Sequence, residues 1–174
     1  MESRLNRLIV LLERLVVAVG IAAAMLLVPL VLATTWEVVA RYAFGAPTIW
    51  AYEVGYLLTG SHFLLGLAYT LRQGEHIRID VLSAHMAPTT RRRIDAVAYA
   101  VVLPLLVWLS VALFNYFMAG YTRGETSGQS ALNLPVWPFR AVFVLSFAMF
   151  SLQVLCELLK SLRAPKNDQE AQPS

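Results

Sequence analysis

With 174 residues, 58% of them hydrophobic and 14% charged, and a mean hydropathy of +0.61, the chain has far less charge than an ordinary soluble domain. Nine glycines, eight prolines and one cysteine exclude the collagen-like and disulfide-rich classes, and the apolar content excludes disorder. The net charge of +3 does not point to nucleic acid, because in so apolar a chain excess Lys and Arg report membrane topology first.

A helix needs about 20 apolar residues to cross a hydrocarbon core of roughly 30 Å, and four segments qualify. The expected fold is all-α: a polytopic membrane protein with four transmembrane helices at about 15–36, 49–71, 94–119 and 136–159. Residues 15–36 and 96–122 are uncharged throughout. The second span contains His62, with Glu53 near its start; the fourth is long enough if Arg140 snorkels to the headgroups. Residues 1–163 read as a single membrane domain, and 164–174, rich in Pro, Asn, Gln and charge, as a disordered cytoplasmic tail.

Before the first span, Arg4, Arg7 and Arg14 alternate with Leu5, Leu8, Ile9 and Leu12 at helical spacing. This stretch either lies along the inner membrane surface or extends span 1 into the cytoplasm. A cleaved signal is rejected, because the uncharged run exceeds the usual apolar core of about 7 to 15 residues. Between spans 2 and 3 the segment is too polar to cross, yet it carries Ile77, Ile79, Val81, Leu82 and Met86. A short interfacial helix at about 80–86 is expected, broken by Pro88, with Thr89 or Thr90 capping span 3.

Of the fourteen Lys and Arg residues, eleven fall before span 1, between spans 2 and 3, or after span 4. Arg41, Arg123 and Arg140 fall on the opposite side. The positive-inside rule then places both termini and the 72–93 connection in the cytoplasm.

Ionisable groups inside a bilayer are costly, so they are the first place to seek chemistry. At 1.5 Å per residue from Ile49, Glu53 lies about 6 Å in and His62 about 20 Å. His62 without a second titratable group at its depth reads as a packing histidine bonded to Ser61 or a backbone carbonyl. Haem would need histidines on facing spans, whereas His76 and His85 share one connection; a metal at His76, Asp80 and His85 is opposed by neighbouring Arg. The hydroxyls of 126–130 have no histidine on their side of the membrane to act as base. No cofactor, metal or catalytic group is expected.

Three polar clusters remain, each at a membrane boundary. Glu37, Arg41, Tyr42, Phe44, Trp50 and Glu53 form the first, with Arg41 placed to pair with Glu37 four residues back or with Glu53 across the turn. Gly74, His76, Ile77, Arg78, Ile79 and Asp80 form the second, and Gly124, Glu125, Thr126, Ser127, Asn133, Pro135, Trp137 and Pro138 the third.

In this order across four spans, the clusters resemble the small permease subunit of tripartite ATP-independent periplasmic (TRAP) transporters, the DctQ-like family, over roughly residues 10–160. The denser basic run at Arg91, Arg92 and Arg93 departs from that pattern. The resemblance implies a subunit of the bacterial inner membrane without chemistry of its own. Its partners would be a large multi-span permease subunit, which carries sodium and substrate sites and moves as an elevator, a periplasmic substrate-binding protein that delivers an organic acid, and membrane lipid. It also implies a partner interface at Arg41, Tyr42, Trp50, Glu53, Gly124, Glu125, Ser127, Asn133, Pro135 and Trp137, and an inner-loop anchor at Gly74, His76, Arg78 and Asp80. The competing reading is an autonomous four-span homodimer exchanging protons through a membrane carboxylate. It needs a carboxylate near mid-bilayer, and Glu13, Glu37, Glu53 and Glu157 all lie near span ends.

Overall fold

The computed structural model describes residues 2–73, 88–128 and 132–163. These form five helices: α1 (Glu2–Met25), α2 (Leu27–Phe44), α3 (Ile49–Gln73), α4 (Pro88–Arg123) and α5 (Trp137–Arg163). Among the described residues four segments are long and apolar enough to cross a membrane: Asn6–Phe44, Ile49–Gln73, Arg92–Arg123 and Trp137–Leu162.

The first of these is a single rod made of α1 and α2. Its one irregularity is Leu26, which keeps right-handed helical angles (φ −65°, ψ −17°). The cause lies three residues on: Pro29 has no N–H to give the Met25 carbonyl. The amide of Leu26 is shared between the carbonyls of Ala22 (3.3 Å) and Ala23 (3.2 Å). At 39 residues the rod is about 58 Å long, nearly twice a hydrocarbon core. Residues 6–14 are therefore a straight continuation of the span and do not turn away from it. At the other end α2 runs on through 37–44, so the connection to α3 is only 45–48.

The helix α4 begins at Pro88, whose missing donor is no loss in a first turn, so Thr89 and Thr90 fall within that first turn and not before it. Pro104 sits within α4, which stays a single helix of 36 residues. Four hydroxyls within the apolar helices donate to carbonyls of the preceding turn: Thr34 to Leu30, Thr59 to Gly55, Thr70 to Gly66 and Ser110 to Leu106.

In the bundle α3 is central. It packs against α1 and α2 on one side and α5 on the other, while α4 packs chiefly on α5. Two small apolar clusters mark these seams: Val16, Ala68 and Met149 where α1, α3 and α5 meet, and Leu71, Leu106 and Val154 where α3, α4 and α5 meet. The outer faces of α2 and α4 expose Val28, Leu32, Val101, Leu105 and Trp108, as lipid or a partner helix requires. The 45–48 and 124–136 connections share one end of the bundle, the connector end. The opposite end, called the terminus end, holds the start of α1, the end of α3, the start of α4 and the end of α5. The interfacial helix expected at 80–86, the anchor residues Gly74, His76, Arg78 and Asp80, and the tail 164–174 lie outside the described residues.

Candidate functional site

At the connector end Glu37 organises the short turn. It lies one helical turn before Arg41, whose Nε and Nη2 donate to its Oε1 at 3.0 and 2.5 Å. The other oxygen, Oε2, accepts the Thr48 backbone N–H at 2.7 Å and the Thr48 hydroxyl, so one carboxylate ties the end of α2 to the start of α3. Of the two partners the spacing offered Arg41, the structure selects Glu37. Arg41 remains half exposed, Tyr42 is 82% exposed, and Trp50 and Tyr52 are also open. A groove of about 430 Å³ runs between α2 and α3 past Thr34, Val38, Ala51 and Tyr56.

Glu53 is fully buried, one turn into α3. Its Oε1 accepts the Ser127 hydroxyl at 2.9 Å, joining α3 to the connection between α4 and α5. The described residues of that connection, 124–128 and 132–136, are held by backbone chemistry. Gly124 takes φ +61°, and the amides of Gly124 and Glu125 return to the carbonyls of Tyr121 (3.3 Å) and Gly120 (3.1 Å), a Schellman closure of α4. Thr126 then pairs with Pro135 across an antiparallel bridge. The bridge hydrogen bonds come from the flanking amides, Ser127 to Leu134 (2.8 Å) and Val136 to Glu125 (3.1 Å), so proline is tolerated at 135. Asn133 sits at φ +46°, a conformation asparagine adopts more readily than other non-glycine residues.

Arg140 does not snorkel outward; its side chain is only 12% exposed. The guanidinium lies 3.8 Å from the Tyr116 ring centroid and donates to Glu125 at 2.5 Å, and Arg123 approaches the same carboxylate at 3.6 Å. Gly120 provides the space, because a Cβ there would collide with the guanidinium. A carboxylate two residues beyond the end of α4 is a stronger attraction than the headgroups for a charge that can fold back. A second groove of about 520 Å³, lined by Tyr52, Tyr56, Tyr116, Ser127 and Arg140, separates the connection from α3.

His62 meets the carbonyl of Ala23 through Nδ1 at 2.9 Å, beside the Leu26 irregularity. This is the carbonyl-bonded packing histidine the sequence suggested.

The terminus end holds a polar cluster that sequence reasoning missed. Glu13 on α1 pairs with Lys160 on α5 and lies 3.8 Å from Arg72 on α3. Lys160 also meets Glu157 at 3.0 Å, and buried Gln153 donates to Glu157 at 2.8 Å. Arg92, which the sequence offered only as a topology charge, donates from Nε to the Ser161 carbonyl at 2.6 Å, where the last carbonyls of α5 lack helical partners. The only available signal was that Glu13, Arg72 and Glu157 all stand at one boundary. Among the described residues no group of three His, Cys, Asp or Glu is placed to hold a metal.

The sequence-derived interface residues thus divide. Arg41, Tyr42, Trp50, Gly124, Asn133, Pro135 and Trp137 are exposed, whereas Glu53, Glu125 and Ser127 engage neighbours inside the chain.

A bundle with four membrane-length apolar helices and its charge gathered at the helix ends is a multi-pass membrane protein. Residues 30–164 match the family model of the tripartite ATP-independent periplasmic transporters, DctQ component, and the chain belongs to that family. It is therefore a component of a transporter, the small permease component, and not an enzyme. None of the curated proteins compared with the chain matches it.

Proposed function

We propose that the chain is the scaffold and docking subunit of a TRAP transporter in a bacterial inner membrane, bracing the large permease subunit and helping to seat the periplasmic substrate-binding protein for sodium-coupled uptake of an organic acid. Both termini then face the cytoplasm and the connector end faces the periplasm, in accord with eleven of fourteen basic residues lying on the terminus side. The observation that carries this reading is the use of the charges at the connector end. Glu37 holds Arg41, and Glu125 holds Arg140 and Arg123, while the open side chains around them include the large aromatic and apolar Tyr42, Phe44, Trp50, Tyr52, Leu132 and Trp137. Such a surface suits a protein partner better than a small carboxylate or a coupling ion. The autonomous proton exchanger has less support, because Glu53 sits only one turn from its helix end and His62 has a backbone partner.

The test leaves the internal ties intact. Tyr42→Asp and Leu132→Arg alter exposed positions, and uptake of labelled dicarboxylates, sialic acids and sugar acids is followed in cells carrying the full transporter. The transported acid is expected to enter more slowly although the variants reach the membrane at normal levels; unchanged uptake in both would contradict the docking role.

A further inference from the structure

The 124–136 connection is held to its own helices by several ties: the Schellman closure, the Thr126 to Pro135 bridge, the Glu125 to Arg140 pair, and the edge-to-face contact of Tyr121 with Trp137 at 5.9 Å. These shape its described residues, 124–128 and 132–136. The α5 end is set against α3, since α5 packs on α3 and Phe139 lies beside Tyr56 and Gly60, whereas the 124–128 limb leaves α4, which packs chiefly on α5. Glu53 ties that limb to α3 through the hydrogen bond to Ser127. Being fully buried, its carboxylate has no surface to offer a partner.

We infer that Glu53 is a positioning residue: by holding Ser127 it sets the α4–α5 connection in register with the α2–α3 turn, so that one protein partner meets both exposed patches at once. The patches are Tyr42, Trp50 and Tyr52 on one side and Leu132, Asn133 and Trp137 on the other. The groove between them runs directly past Tyr52 and Ser127. A partner spanning both patches gains from their fixed spacing, because no ordering cost is left for the moment of docking. This inference rests on the docking role proposed above.

The test measures the spacing itself. Spin labels are placed at Tyr52→Cys and Leu132→Cys in the full chain in lipid vesicles, with buried Cys156 left in place. A single narrow distance is expected for the parent and for Glu53→Gln, which keeps an acceptor oxygen. Glu53→Ala and Ser127→Ala should each raise the displaced fraction roughly fivefold, as loss of one intramolecular hydrogen bond does. The double variant should do no more than either single one. Ser127→Ala is the milder change, at a half-buried loop position, and keeps the test decisive if Glu53→Ala folds poorly. Distances unchanged in both alanine variants would overturn the inference. The docking role fails separately: if the displaced variants still support full uptake, the positioning bond stands and the need for register in docking does not.

Discussion

Arg140 is the residue whose surroundings depart most from its sequence context. A lone arginine at the start of an apolar span is expected to reach outward, and here it folds back between Glu125, the Tyr116 ring and the bare backbone of Gly120. Gly120→Ala should therefore expel the guanidinium and cost about 1 to 3 kcal/mol, the usual penalty for overpacking a filled site, read as a lower thermal midpoint in detergent. An unchanged midpoint would mean that Arg140 is not seated there. Asn133 makes a conformational prediction: Asn133→Gly should be tolerated, while Asn133→Val should cost about 1 to 2 kcal/mol in the same measurement, because a branched side chain resists the left-handed region. The pairing of Arg41 with Glu37 was legible from their spacing of four. The folding back of Arg140 was not, since it depends on a glycine twenty residues earlier that only the fold brings near.

Among the helices, α3 carries the organisation, and the glycines on it and on α1 show how much of that can be read from sequence. Gly20, Gly55, Gly60 and Gly66 all stand out as sites for close packing, but they are not equivalent. A Cβ on Gly20 would meet Tyr69 at 2.7 Å and one on Gly60 would meet Phe139 at 2.7 Å, whereas Gly66 has no neighbour within 4 Å. Gly20→Ala and Gly60→Ala should each destabilise the bundle by about 1 to 3 kcal/mol. Gly66→Ala should be neutral or gain up to about 1 kcal/mol from helix propensity. Equal effects at all three positions would contradict the packing described. The crossing of α1 and α3 also carries the His62 bond to Ala23, and His62→Ala should cost only about 0.6 kcal/mol, the mean for such bonds between membrane helices. Helix number and span positions were legible because apolar runs of membrane length have few alternatives. Which face of each helix meets which neighbour was not, because helices that are apolar all round leave no amphipathic signature.

For the molecule as a whole, charge is partitioned between two ends joined by an almost uncharged body. At the connector end Glu37, Glu53 and Glu125 balance Arg41, Arg123 and Arg140, whereas the terminus end keeps the cationic excess. Reporter fusions should accordingly show the C-terminus in the cytoplasm and a reporter inserted at 45–48 outside it; the reverse pattern would refute the proposed orientation. The terminus-end cluster of Glu13, Arg72, Glu157 and Lys160 escaped sequence reasoning because its members come from three helices and no short motif joins them. The family resemblance was legible because its motifs are local, each within about fifteen residues at a helix end. The central claim is that this chain acts as one subunit of a larger membrane assembly. It is tested most directly by tagging the C-terminus, extracting native membranes in mild detergent and weighing what stays bound by mass spectrometry. A larger multi-span membrane protein in one-to-one ratio is the result expected; a homodimer with no other stoichiometric partner would contradict the account.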